Sequence, residues 1–276
     1  MRTISPPSFG VREVIESFGH GPRVDGLHRQ VSNFAAAGSD YVAALTARVP
    51  YLLGPCPPSL SAAAADDASW AYENHLRATS GGGRLFYESL RGVGQPCGSC
   101  RVRTARVVDH YLPRAVYPAY AIQPSNLVPI CSDCNDRKLD DVPSPARVHF
   151  LHPYFDHLGD DGWLIARVTD GPGRPVTFSV DLGYLADPGL ERRAVAHMAF
   201  FGLSTAFAKH AGDFLVNHVY ILDRLLRKHG PSKVSDHLFE LSDSSRAAGA
   251  HPWIAASLAA WATDERFCEG AWNELK

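Results

Sequence analysis

The sequence predicts an α+β protein in which a small β-β-α unit, clamped by four cysteines, is embedded between mostly helical N- and C-terminal regions. Three observations lead there. Two Cys-x-x-Cys pairs, Cys97/Cys100 and Cys131/Cys134, bracket a gap of 30 residues. Short β-branched or extended runs occupy that gap. On either side, apolar residues recur at spacings of three and four over most of the chain.

The N-terminal region, 1–80, reads as helices over 11–18, 26–36, 39–53 and 60–78, separated by Gly or Pro. Gly81-Gly82-Gly83 then reads as a hinge. It is no phosphate loop, since no Gly-Lys-Ser/Thr follows. In the central region, 81–156, the run Arg103–Val108 reads as a strand ending at Asp109-His110, and Asn126–Pro129 as a second extended run. Asn135–Lys138 looks like the opening turn of a helix that Pro143 and Pro145 stop. The last region, 157–276, begins with WLIARV (163–168) and VTFSV (176–180) about a Gly/Pro turn, a β-hairpin pattern. Helices are expected over 189–210, 212–229, 231–241 and 251–262, with His197, His210 and His218 as helix-face or core residues. The acidic trio Asp156/Asp160/Asp161 lies among glycines and reads as turn chemistry.

Four thiolates at two tight spacings match a tetrahedral structural Zn²⁺ site. The gap between the pairs is longer than a simple zinc ribbon, so a folded element must lie inside it. No βαβ pattern surrounds either pair, which argues against a thioredoxin-like redox motif.

The stretches DHYLP (109–113), NLVP (126–129) and C-x-x-C-N-x-x-K (131–138) resemble the HNH, or ββα-metal, endonuclease family in its zinc-stapled form. The tight resemblance covers about 40 residues, with looser similarity from Tyr87 to Asp156 through LFYESL and HPYFD. It implies His110 as general base, Asp109 and Asn135 as ligands of a catalytic cation, and Asn126 as the residue that orients the His loop. The last letter of the name-giving pattern is here Asn135 rather than His. Phosphodiester hydrolysis needs a deprotonated water, a stabilised phosphorane and a neutralised leaving oxygen. An imidazole titrating near pH 7 and a hard cation, Mg²⁺ by default or another divalent ion, supply all three. Arg137 and Lys138, at an expected helix start, and Arg114, just past the His, are candidate backbone contacts. His152 follows the motif, where a His before Pro in an aromatic cluster reads better as packing than as a ligand.

Composition limits the partners. The net charge is −2, low for a protein that grips nucleic acid unaided, yet Arg84–Arg147 carries nine Lys/Arg against six Asp/Glu. The expected substrate is double-stranded DNA, and an additional protein is expected to supply affinity or activation. Some members with similar flanks resemble anti-phage defence effectors that work beside an ATPase, and the resemblance implies an ATPase as one example of such a partner. No apolar leader follows Met1-Arg2, and Cys56 and Cys268 have no obvious mate, so a soluble cytoplasmic protein is expected, with no membrane partner. No Gly-x-Ser-x-Gly elbow offers serine hydrolase chemistry. The alternative reading is a zinc-stabilised nucleic-acid- or protein-binding adaptor whose catalysis has lapsed.

Overall fold

The structure, a computed structural model, describes residues 4–159 and 162–275, so Asp160 and Asp161 of the expected acidic turn lie outside the described residues. The chain divides into two compact units, one ending at Asp156 and the other beginning at His157.

In the first unit, α1 (Val11–Glu16), α2 (Pro22–Arg29), α3 (Val31–Thr46) and α4 (Ala62–Ala71) precede a π-helical turn, Tyr72–Arg77, and α5 (Arg84–Arg91). Ser61 caps α4 by accepting from the Ala64 amide at 3.2 Å. The break between α2 and α3 falls at Gln30, so Gly38 lies inside a helix rather than between two. Its role is close approach: a Cβ there would stand 2.6 Å from Gln123 Nε2. The triple glycine is likewise no hinge. A Cβ on Gly81 would meet the His75 carbonyl oxygen at 2.1 Å, and one on Gly82 the Ser17 carbonyl oxygen at 1.9 Å. These glycines let three backbone segments pack against one another.

Next come β1 (Val107–His110), β2 (Leu127–Ile130) and α6 (Ser132–Lys138), in the expected β-β-α order but with shifted bounds. β1 starts at Val107 rather than Arg103, because the preceding residues turn: Arg101 has φ 62° and Pro96 bridges Thr104. α6 starts at Ser132, so Asn135–Lys138 form its last turn and not its first; Leu139, at φ 45°, ends it. The two strands pair antiparallel, with Val108 opposite Pro129 and His110 opposite Leu127. Two strands of this size do not hold themselves together in water. They pack against α5, and the unit's core contains Ile15, Leu27, Phe34, Tyr41, Leu45 and Leu76, all 1% exposed or less.

The second unit opens with the expected hairpin, β3 (Leu164–Val168) against β4 (Val176–Val180). Burial along β4 alternates strictly, with Val176, Phe178 and Val180 inward. Helices follow: α7 (Pro188–Phe201), α8 (Leu203–Val216), α9 (Val219–His229), α10 (Pro231–Ala247), α11 (Pro252–Ala262) and α12 (Glu265–Cys268). Asp187 caps α7 through the Gly189 and Leu190 amides, and Gly202, at φ 62°, ends it in the left-handed region. The expected helix 189–210 is therefore two helices broken at Gly202, whereas Gly212, expected near a boundary, sits inside α8. Trp163, Phe207, Trp261, Phe267 and Trp272 fill this unit's core.

Two glycine substitutions should move stability in opposite directions. Gly82→Ala pushes a methyl into backbone and should destabilise by about 1–3 kcal/mol. Gly212→Ala adds a methyl where nothing lies within 4 Å and should stabilise the helix by up to about 1 kcal/mol. Thermal or urea melts of the two variants check both signs.

Candidate functional site

The four expected cysteines converge. Cys97, Cys100, Cys131 and Cys134 are all buried, with their sulfurs within 4.8 Å of one another and Cys100 Sγ 3.9 Å from Cys131 Sγ. Sulfurs placed tetrahedrally about 2.3 Å from one Zn²⁺ are about 3.8 Å apart, so four buried cysteines in this arrangement can hold a structural metal such as zinc. The first pair sits on a tight knuckle. The Cys97 amide donates to Arg103 O at 2.7 Å, the Arg101 amide to Cys97 O at 3.0 Å, and the Gly98 amide to Pro129 O at 2.7 Å. Gly98 admits that approach, since a Cβ would lie 2.6 Å from Val128 Cγ1. Cys131 is the N-cap residue of α6 and Cys134 lies in its first turn, so the second pair is carried by a helix start. Hydrogen bonding with Cys100, then Cys134 and Cys97, holds the Cys131 thiol far below its ordinary value, while hydrogen bonding with Cys100, then Cys131 and Cys97, pushes Cys134 up. A divalent cation would instead keep all four as thiolates.

The strands' outward-facing backbone groups are bonded from other elements. Val108 O accepts from Tyr72 Oη at 3.0 Å and the Val108 amide donates to Tyr87 Oη at 3.4 Å. Leu127 O accepts from Tyr154 Oη at 2.7 Å, and His110 O from Lys138 Nζ at 2.6 Å. Pro129 lies opposite Val108, whose own amide and carbonyl point away from β2, so the missing proline N–H breaks no ladder bond.

Adjacent residues of a strand face opposite ways, and this separates Asp109 from His110. Asp109 turns toward the end of α6, where Lys138 Nζ lies 3.1 Å from its Oδ2. Lys138 is 4% exposed. It points inward to Asp109 and to the His110 carbonyl, rather than outward to a phosphate as its expected place at a helix start implied. Burial raises the Asp109 pKa, against the pull of Lys138. Asn135 is half-buried one turn before Lys138, on the same helix face.

His110 turns the other way, into an aromatic and backbone pocket. Its ring meets Tyr72 edge-on at 4.3 Å between centroids, and Nε2 lies 2.8 Å from Ala121 O. A carbonyl only accepts, so Nε2 carries the proton and Nδ1 keeps its lone pair. Among the described residues Nδ1 has no hydrogen-bond partner. Burial pushes the imidazole pKa down to about 3, far from the titration near pH 7 that the sequence led us to expect, so the ring is neutral but a weaker base than expected.

Asn126 is fully buried and fully bonded. Its Oδ1 accepts from the Leu112 amide at 2.7 Å and from Tyr41 Oη at 3.1 Å, while Nδ2 donates to Leu112 O and Tyr120 O, each at 3.1 Å. It thereby ties the chain just after His110 to the segment that carries Ala121. His152, 0% exposed, supports Tyr41. Its Nδ1 accepts from the Tyr154 amide at 3.2 Å, which leaves Nε2–H to donate to Tyr41 Oη, also at 3.2 Å. Arg114 lies 2.5 Å from Glu73 and over the Tyr72 ring, and Arg137 is exposed on α6. Sequence reasoning missed Tyr41, Tyr72, Tyr87 and Tyr154. Their signal is a hydroxyl in an otherwise apolar helical face or aromatic cluster, and it does not name the partner.

No family model matches the chain, and no solved structure matches it. Among curated proteins, "Protein ea31" of Escherichia phage lambda is 30% identical over 149 residues, which cover 52% of this chain and 50% of that protein. The chain thus spans about half the length of the curated relative it matches. Among the described residues, no helix is long and apolar enough to cross a membrane.

Cys131→Ser should lose bound metal and unfold the β1–β2–α6 segment rather than merely loosen it, because metal binding at such a site is part of the folding free energy. Metal content by atomic absorption, together with a thermal melt, checks this. A second expectation concerns acid. The folded pKa of His110 lies below its ordinary 6.5, so its contribution to stability is present above about pH 6.5 and is lost as pH falls toward about 3. Ring-proton shifts of His110 should stay constant from pH 8 down to about pH 4, one unit above the folded value.

Proposed function

We propose that the protein is a metal-dependent endonuclease of the HNH type that hydrolyses phosphodiester bonds in DNA. One observation carries the reading: His110 is a neutral imidazole, held by a carbonyl at one nitrogen and, among the described residues, without a hydrogen-bond partner at the other, next in sequence to a carboxylate that faces the other side of a strand adjoining a four-cysteine cluster.

His110 Nδ1 takes a proton from water. The hydroxide oxygen bonds to phosphorus, the bond from phosphorus to the leaving oxygen breaks, and that oxygen leaves with the electron pair and gains a proton from solvent, while the imidazolium returns its own proton to solvent. Asn126 and the Ala121 carbonyl keep the ring in the tautomer this needs. Asp109 and Asn135 offer a carboxylate and an amide oxygen, a donor set suited to a hard divalent cation such as Mg²⁺, which would neutralise charge on the scissile phosphate. Arg137, exposed on α6, is the freest of the three cations expected to meet the DNA backbone. A net charge of −2 fits recruitment by a further subunit such as an ATPase, and an anti-phage effector is one such setting.

A second reading has its own observation. Asp109 is already paired with buried Lys138, so a cation there must displace an ammonium or share its carboxylate. That pairing favours a zinc-stabilised adaptor that binds nucleic acid or protein without cutting.

Supercoiled plasmid incubated with Mg²⁺ or Mn²⁺ separates the two. We expect nicking by the wild type and a loss of at least about 100-fold in His110→Ala, the usual contribution of a positioned base. Equal silence from both proteins would favour the adaptor.

A further inference from the structure

The second unit carries cations that the centre around His110 does not use. On α9, Leu222 is buried, and Leu226 Cδ2 reaches to within 2.9 Å of where a Gly270 Cβ would stand. The opposite face exposes Tyr220, Arg224, Arg227 and Lys228. Their spacing of i, i+4, i+7 and i+8 puts them on one stripe. Tyr220 is 74% exposed, unusual for a large aromatic ring.

Many cations elsewhere in the chain are committed to ion pairs, whereas those of this stripe stand exposed, close together and uncommitted. Arg23, Arg84, Arg103, Arg114, Arg147 and Arg246 each meet a carboxylate. Among the described residues Arg224, Arg227 and Lys228 meet none. The one acid of α9, Asp223, accepts from Trp272 Nε1 at 2.7 Å and is used within the unit. A helix C-terminus attracts cations in its last turn, which accounts for Lys228 and Arg227. It does not account for Arg224 a turn earlier, nor for Tyr220 in line with it.

We propose that this face of α9 binds single-stranded nucleic acid, with Arg224, Arg227 and Lys228 on backbone phosphates and a base stacked on Tyr220. Unpaired cations interleaved with an exposed aromatic suit a flexible polyanion that carries π-faces. An anionic membrane would also attract the charge, but interfacial binding needs an apolar helix face to insert, and here Leu222 and Leu226 are committed to packing within the unit. The inference rests on the nucleic-acid reading above only for the choice of polyanion, and it makes no use of His110.

The test is fluorescence anisotropy of a labelled oligothymidylate of about 20 nucleotides with the full chain, without added divalent cation. The triple variant Arg224→Gln/Arg227→Gln/Lys228→Gln should bind at least about tenfold more weakly, and its slope of log affinity against log salt should be shallower by about 2, roughly 0.7 per phosphate contact. Tyr220→Ala should weaken binding about tenfold with the slope unchanged. The charge-conserving triple Arg224→Lys/Arg227→Lys/Lys228→Arg should bind like wild type, which separates lost charge from lost fold. Oligonucleotide binding by wild type that nicks no plasmid in Mg²⁺ or Mn²⁺ would sink the nuclease and leave this inference standing, whereas nicking by a wild type that does not bind the oligonucleotide would do the reverse. It is overturned if wild type fails to bind the oligonucleotide, if the neutral triple variant keeps wild-type affinity and slope, or if wild type prefers phosphatidylserine vesicles to the oligonucleotide.

Discussion

Four sulfurs drawn within 4.8 Å of one another are the constraint on which the centre depends. They join a knuckle ahead of β1 to the start of the helix behind β2, so the two strands and α6 are closed at one end by a single cluster. Eight strand residues and a seven-residue helix bury too little to stand alone. Held by one ion, they would become a frame.

Hydrogen bonds from outside the strand pair complete the frame. Tyrosine hydroxyls, the Gly98 amide and the Lys138 ammonium bond the outward carbonyls of the strands, and Asn126 uses both ends of its amide on the loop after His110. An unbonded buried carbonyl or amide would destabilise this region by about 1–3 kcal/mol, so each of these side chains does more than fill space. The same enclosure sets the chemistry. Desolvation keeps His110 neutral, and Ala121 O decides which of its nitrogens holds the proton.

Much of this was legible in the sequence, and the parts that were not have a common cause. Cysteine spacing exposed the cluster because metal ligation imposes local spacing, and β4 was legible because a half-buried strand alternates. Glycine misled. Gly38 looked like a break and Gly82 like part of a hinge, yet the first admits the Gln123 side chain and the second the Ser17 backbone, while Gly202, inside an expected helix, is the true break. A glycine's letter does not say whether it serves φ or space. Lys138 misled for a related reason. Its distance from Cys134 was readable, but its inward turn depends on where Asp109 and the His110 carbonyl lie, and only tertiary structure decides that. The network of Tyr41, His152 and Asn126 spans more than 100 residues of chain and leaves no local trace.

The frame stands or falls on what those sulfurs hold. Zinc-edge X-ray absorption on the purified protein tests this most directly. The account expects one zinc per chain, with four sulfur neighbours at about 2.3 Å and no nitrogen or oxygen in the first coordination sphere. A metal-free folded protein, or a zinc bound through mixed sulfur and nitrogen or oxygen ligands, would contradict it.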